Sequence, residues 1–384
     1  MLHLIQHHFT KQSAAMIIRL SVVFACLLAV SPTALSQNSN DVLLKESWMD
    51  AMLLRDTIAR GDTVKTKKYQ PKISGVITCH YLNEINTNGD SIRDPDGFRI
   101  FRARLNAKGK INPFISYELM IDPRSPEHGG LLRDAFIEIQ FLSNQKLRIG
   151  KQKTQFGWEN RKSVTELYTV NRAEYSDFVA RGENLRDIGI GLIGQVPLNK
   201  SLRIENAFTF TNGTRHDVTG PYDFNTKKAL WGRVGLRYLK DDLEMRIGGS
   251  FGYGGLRYLG DTIETPTDDV YADFNRMGAD VQMDHRYFFM AAEYGMGTDM
   301  AGDTLYGEPV GYSAQLAIKA ARNAGPLVRY DAGDDEYKRL TIGLFYGLPK
   351  DNLQVLINYE FRKQIMDIPE GHDDRLYIQL QVSF

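Results

Sequence analysis

The chain contains no long hydrophobic run. Its one sustained apolar stretch, Leu20 to Val30, is too short to cross a bilayer as a helix, so membrane-spanning helices are excluded. Cysteine is scarce, with only Cys26 and Cys79. Cys26 lies in a segment expected to be removed, so no internal disulfide framework can hold the mature chain. There is no excess of either charge, 47 Lys and Arg standing against 47 Asp and Glu. That balance argues against a nucleic-acid-binding surface. No GxSxG, HExxH, P-loop or paired CxxC motif occurs, and His80, His128, His216, His285 and His372 are scattered without metal-ligand spacing. The sequence thus gives no ground for an enzyme, a metal centre or a cofactor, and none is expected.

What is present begins with a leader. Residues 16–36 read MIIRLSVVFACLLAVSPTALS. Arg19 precedes the apolar stretch, and Pro32 and the small-residue site Ala34-Leu35-Ser36 follow it. This is the layout of a secretory signal peptide. Residues 1–36 are assigned to it, with Met16 as the alternative start. A lipoprotein signal at Val23-Phe24-Ala25-Cys26 is the rival, disfavoured because apolar residues continue past Cys26. Residues 37–70 are polar and read as a periplasmic N-terminal extension. A short helix capped by Asn40 or Asp41, carrying Leu44, Trp48 and Met52, is an alternative for part of it.

From about residue 71 the pattern becomes strict alternation. In the last ten residues Leu376, Ile378, Leu380, Val382 and Phe384 share one face; Tyr377, Gln379, Gln381 and Ser383 share the other. Period two marks a strand between two different environments. Leu353, Val355, Ile357, Tyr359 and Phe361 interleave likewise with Gln354, Asn358, Glu360 and Arg362. Leu340, Ile342 and Leu344 interleave with Arg339, Thr341 and Gly343, and Ile137, Ile139 and Phe141 oppose Asp134, Glu138 and Gln140. Charged residues recur on the second face. A soluble sandwich would turn that face to bulk water; a barrel in lipid turns it to a water-filled lumen.

Connections separate these readings. About sixteen candidate strands follow residue 71. Long connections near 83–96, 123–130, 153–186, 212–227, 254–272, 297–309 and 363–373 alternate with short ones near 108–112, 142–146, 197–200, 239–242, 284–285, 323–325 and 348–352. One connection, 332–336, is brief where a long one is due. Short periplasmic turns and longer external loops are the habit of bacterial barrels. In hydrocarbon every backbone N–H and C=O needs a partner, so only helices or closed barrels can span. The expected fold is all-β: a transmembrane antiparallel β-barrel of about sixteen strands over residues 71–384. That width leaves an aqueous channel.

Three segments carry a family resemblance: FRIFRARLNAKG at 98–109, LLRDAFIEIQFLSNQKLRIGKQKTQFGWE at 131–159 and RGENLRDIGIGLIGQV at 181–196. In this order they resemble the phosphate-selective porin O/P family of outer-membrane porins. The resemblance implies a sixteen-stranded homotrimer in outer-membrane lipid, a third external loop folded into the pore, and a basic lining that draws small anions such as phosphate. One departure is Gln155, where the family commonly has Pro before Phe156-Gly157.

The connection 153–186 is the longest, and a loop of that length in a compact fold usually has a job. It carries Lys153, Arg161, Lys162, Arg172, Arg181 and Arg186. Arg102, Arg104 and Lys108 share one parity on the second strand, assigned to the lumen, and Arg148 and Lys151 belong to the fifth. Rings of Arg and Lys select anions, because the guanidinium fork matches phosphate oxygens. Glu159, Glu166, Glu174, Asp177, Glu183 and Asp187 crowd the same loop and weaken any positive field. Solvated wall charges with no binding role are the bland alternative. Two other functions remain: a porin for sugars or organic acids, with Trp158, Tyr168 and Tyr175 as stacking surfaces, or a closed barrel serving as anchor or adhesin. The Gly-rich stretch at Gly248-Gly249, Gly252 and Gly254-Gly255 is read as a strand end.

Overall fold

The computed structural model describes residues 70–85, 96–124, 131–179, 186–213, 227–258, 270–301, 304–321, 323–333, 337–349, 351–364 and 374–384. The expected signal peptide and all but the last residue of the 37–70 extension lie outside the described residues.

Alternating sequence produces strands throughout: β1 (Lys72–Ile85), β2 (Asp96–Lys110), β3 (Ile115–Ile121), β4 (Leu132–Leu142), β5 (Gln145–Lys153), β6 (Arg186–Pro197), β7 (Leu202–Thr211), β8 (Ala229–Lys240), β9 (Leu243–Tyr258), β10 (Val270–His285), β11 (Phe288–Ala301), β12 (Thr304–Gly307), β13 (Val310–Ile318), β14 (Ala324–Gly333), β15 (Tyr337–Tyr346), β16 (Leu353–Gln364) and β17 (Asp374–Ser383). Each pairs antiparallel with its chain neighbour, and β1 pairs with both β2 and β17. The sheet therefore closes on itself. β11 pairs directly with β13, while the four-residue β12 extends one rim against the end of β11. The wall has sixteen strands, as expected, and among the described strands closure leaves no edge unpaired. Phe384 completes the seam: its N–H donates to the Gly75 carbonyl at 3.0 Å, and its own carbonyl accepts from Gly75 at 2.8 Å.

Connections at one end are tight and built by side-chain acceptors. Asn112 Oδ1 accepts the N–H groups of Phe114 and Ile115, and Asn199 Oδ1 those of Ser201 and Leu202. Such Asx turns reverse a strand in few residues. Several strands run further than expected: β9 continues to Tyr258, β10 starts at Val270 and β11 reaches Ala301. The Gly-rich stretch is consequently not a strand end but lies within β9.

Side-chain exposure is the inverse of a soluble protein's. Ile137, Ile149, Ile190 and Phe210 lie opposite one another along a register row of β4–β7, and all four are exposed, Phe210 at 55%. On the other face Arg329, Thr341 and Glu360 form a row across β14–β16, and all three are buried. A continuous apolar exterior in water would be an association surface of large area; against lipid it is the stable arrangement. The fold is a transmembrane barrel with a polar interior.

A depth test follows. Ile342, in the middle of β15, points outward, as does Tyr346 at the strand's turn end. Ile342→Lys should cost about 2–4 kcal/mol and Tyr346→Lys about 0–1 kcal/mol, the values for mid-bilayer and interfacial lysine. Reversible urea titration of folding into phospholipid vesicles measures both; equal costs would refute a lipid-facing wall.

Candidate functional site: the inner wall and its loop

Residues 154–179 leave β5 and turn back onto the inside of the barrel. Two apolar clusters seat them. Trp158, Tyr168 and Val170 pack with Phe289, Ala291, Ala317, Leu327, Phe345, Leu356 and Tyr377 of β11 and β13–β17. Phe156, Ala173, Tyr175 and Val179 pack with Ala229, Trp231 and Phe274 of β8 and β10. Phe156 meets Trp231 edge-on at 5.9 Å, and Tyr168 stacks on Phe289 at 5.1 Å. Each buried aromatic contributes roughly 1.5–3 kcal/mol of transfer free energy against the entropy of ordering the loop. The wall makes room with small inward residues. At Gly295 an added Cβ would stand 2.8 Å from Val179 and 3.0 Å from Tyr175, so only glycine lets the loop approach this closely.

Polar anchors fix the loop at both ends of the bed. At one end, Glu293 of β11 accepts the N–H groups of Trp158 at 2.6 Å and Glu159 at 3.2 Å, and Gly157 N–H donates to Ser250 Oγ at 3.0 Å. Gly157 has φ +64°, a left-handed conformation that costs little only without a side chain. Burial and the neighbouring Glu293 raise the pKa of Tyr175 well above its ordinary value. Its hydroxyl therefore stays protonated and donates to Glu293 at 3.3 Å. At the other end, Asp331 of β14 accepts from Arg329 at 3.1 Å, from Arg339 at 3.0 Å, from Tyr337 at 2.7 Å and from Glu174 N–H at 3.0 Å. Between them, Val170 N–H donates to Asn358 and Asn171 to Glu360. The one-turn helix α1 (Tyr175–Phe178) lies at this end of the loop.

The cations named from sequence meet partners. Arg104 binds Asp122 at 3.0 Å, Lys108 binds Glu118 at 3.0 Å and Arg148 binds Glu138 at 3.0 Å. Arg102 is buried on the inner side, 4.0 Å over the Phe101 ring. Lys151 donates to the Leu132 carbonyl at 2.7 Å, and Lys153 to the carbonyls of Asn160 and Lys162. Arg172 donates to the carbonyls of Glu159 and Lys162, and Arg186 grips Asp134 with two bonds at 2.9 and 3.1 Å. Lys162 pairs with Glu166 at 3.2 Å. Arg181 lies outside the described residues. The expected ring of cations is therefore largely a set of ion pairs and carbonyl-bound ammonium and guanidinium groups. Inside a low-dielectric wall a lone charge is costly, and pairing is what makes it tolerable. The aromatic stacking surfaces suggested by Trp158, Tyr168 and Tyr175 are likewise spent on packing, since all three are buried.

Arg161 stands apart. Its Nε donates to Gln155 Oε1 at 2.9 Å, and its surroundings are Arg233, Arg246, Glu205 and Asp280 of the β7–β10 wall. Burial, with Arg233 adding to it, lowers its pKa to about 10, so it is charged at neutral pH. The same wall holds a row that sequence reasoning missed. Arg203, Arg237 and Arg246 lie directly opposite one another on β7, β8 and β9. Arg237 and Arg246 share Glu244 at 2.8 and 2.6 Å, and Arg233 is bidentate to Asp280. Glu293 was missed as well. Its signal was a single acid between Ala291 and Gly295 at inward parity, where other strands carry long polar side chains.

Comparison with known proteins agrees with this fold. A sequence model of the family described as phosphate-selective porin O and P matches residues 82–204, which supports the resemblance carried by the three motifs. No curated protein sequence matches. Among solved structures, OmpT of Vibrio cholerae in its trimer form superposes with a TM-score of 0.55 at 12% identity, over 82% of this chain and 99% of that one. OmpF of Salmonella typhi in complex with daunomycin gives 0.53 at 14% identity, over 84% and 99%. The outer membrane channel DcaP of Acinetobacter baumannii gives 0.53 at 14% identity, over 83% and 99%. At such identities the likeness shows the fold.

The Asp331 anchor is testable. Asp331→Ala removes the nearest carboxylate of two buried guanidinium groups, leaving Arg339 with Glu174 and Glu360 at 3.3 and 3.4 Å and Arg329 with Glu159 at 3.8 Å, which should cost toward the lower end of about 3–5 kcal/mol in urea unfolding in micelles. Trypsin should then cut after Arg161, Lys162 or Arg172 in the folded variant while sparing the unaltered protein. Unchanged stability together with unchanged resistance would contradict the anchor.

Proposed function

We propose that the chain forms a water-filled channel in the outer membrane of a Gram-negative-type bacterium and passes small hydrophilic solutes by passive diffusion. The observation that carries this reading is a loop held across the inner wall of a barrel wide enough to conduct. Solutes pass beside the loop and along the turn-end part of the β7–β9 wall, beyond the loop's seat on Trp231 and Ser250. The tight-turn end faces the periplasm and the long loops face outward, following the habit of bacterial barrels. Function then lies in a passage and its field, with no covalent chemistry.

A mild preference for anions follows from charge on that side. Arg161, Lys162, Arg203, Arg233, Arg237 and Arg246 are six cations; Glu166, Glu205, Glu244 and Asp280 are four carboxylates near them. Six less four leaves an excess of two positive charges along the route. Such an excess steers anions without holding them. A discrete phosphate site would need several guanidinium or ammonium groups directed at one point, and the paired state of most cations here favours transit over capture. Phosphate remains the solute that the family resemblance implies. A homotrimer is the assembly we favour, on the same resemblance and on the trimer form of the structurally similar OmpT.

Planar-bilayer recording tests the reading. Purified protein should give stepwise conductance and, under a KCl gradient, a reversal potential displaced toward the chloride equilibrium value. The displacement should be larger near 0.1 M than near 1 M salt, because the screening length falls from about 10 Å to about 3 Å. Arg161→Ala should reduce it. Absence of steps would refute a channel, and displacement toward potassium would refute the anion preference.

A further inference from the structure

Glu293 is a buried carboxylate, 3% exposed, that no described ion pair joins to a cation. Its charged neighbours are Asp280, which is committed to Arg233, Arg233 itself, and Glu159, whose own carboxylate accepts the Ala173 N–H at 2.8 Å and lies 3.8 Å from Arg329. What holds the Glu293 carboxylate is backbone and hydroxyl. Oε1 accepts from Trp158 N–H and the Tyr175 hydroxyl, and Oε2 accepts from Glu159 N–H. The preceding N–H, that of Gly157, turns to the same wall and donates to Ser250. Successive N–H groups converging through a left-handed residue make a concave anion-binding nest. Gly157 is what lets the carboxylate sit there, since a Cβ at that position would stand 2.6 Å from Glu293 Oε1.

We propose that the Gly157–Glu159 turn is a nest whose occupant is the Glu293 carboxyl group, and that Glu293 is thereby the positioning residue of the constriction. Arg161 and Lys162 follow the nest by two and three residues, so the carboxylate that fixes the turn also fixes where those cations stand in the passage. The anchor meets the loop at Trp158 and Glu159 from β11, whereas Asp331 lies on β14 and meets it at Glu174; Glu159 links the two through Ala173 N–H and Arg329. The consequence for ligands is specific. A truncated Glu293 exposes two donors and the Tyr175 hydroxyl in a space shaped for one carboxylate, and a small free carboxylate such as formate would occupy it. So small a ligand binds at about millimolar or weaker, so roughly 50 mM is the concentration to apply.

The role in conduction rests on the channel reading above; the nest itself does not. The experiment therefore has two readouts on full-length protein: single-channel recording, and trypsin cleavage after Arg161 and Lys162. Glu293→Ala should raise conductance and open-state noise, lower the anion preference to the level of Arg161→Ala, and admit trypsin. Formate should reverse each change in Glu293→Ala, leave the unaltered protein as it was, and fail to rescue Asp331→Ala, whose loop is loosened elsewhere. Glu293→Gln keeps one acceptor oxygen, for Trp158 N–H and the Tyr175 hydroxyl, but turns an NH2 donor toward Glu159 N–H, and should fall between the unaltered protein and Glu293→Ala. Glu293→Asp withdraws the carboxylate by one methylene and should fall between. Those two variants decide the matter if Glu293→Ala does not fold. If the unaltered protein shows no channel steps the channel reading fails, while formate protection of Glu293→Ala against trypsin still tests the nest. The proposal is overturned if Glu293→Ala conducts, selects and resists trypsin unchanged, if formate rescues Asp331→Ala equally, or if Glu293→Asp and Glu293→Gln both behave as the unaltered protein.

Discussion

A peptide group facing hydrocarbon can bond only to another peptide group, and this single requirement propagates through the whole molecule. It forces the sheet to close, which β1 accomplishes by pairing with both β2 and β17. Closure fixes parity, because one residue of slip would turn an entire strand inside out. Parity then sorts the side chains: Ile137, Ile149 and Phe210 to the lipid, Arg329, Thr341 and Glu360 to the interior. The interior thus receives charge in quantity. Charge inside a wall is stable only when paired, so the lining becomes a mesh of ion pairs.

The loop uses that mesh. It brings few free charges of its own, and much of its attachment runs through backbone groups that meet wall side chains: Trp158 and Glu159 to Glu293, Val170 to Asn358, Glu174 to Asp331. Small residues on β11 and β13 lower the bed on which it lies, and aromatic residues fill what remains. Packing and electrostatics therefore act together, one excluding water from the seat and the other fixing register along it. The cations left to influence solutes are Arg161 of the loop and the row Arg203–Arg237–Arg246, which lies toward the turn end beyond the loop's seat on Trp231 and Ser250.

Much of this was legible in the chain itself. Alternation in residues 353–361 and 375–384 predicts which side chains face out, and the structure agrees residue by residue. The inward parity of Arg102 and Arg104 and the exceptional length of the 153–186 connection are also plain in the sequence. The partners of the cations are not. Arg186 meets Asp134 and Arg233 meets Asp280 from strands 52 and 47 residues away, and neither strand alone encodes its register against the other. The fate of Trp158, Tyr168 and Tyr175 was hidden for the same reason: an aromatic residue on a loop reads as a contact surface until the wall opposite it is known. Gly248 to Gly255 misled because glycine marks strand ends and close packing alike.

The most direct test of the central claim is a nitroxide scan along β9 in a Cys79→Ser background, comparing collision with oxygen and with a water-soluble nickel chelate. Labels at 245 and 247 should favour oxygen and those at 244, 246 and 248 should favour nickel, the two profiles alternating with period two and in opposite phase. Profiles that rise and fall together along the strand would contradict a wall with lipid on one side and water on the other.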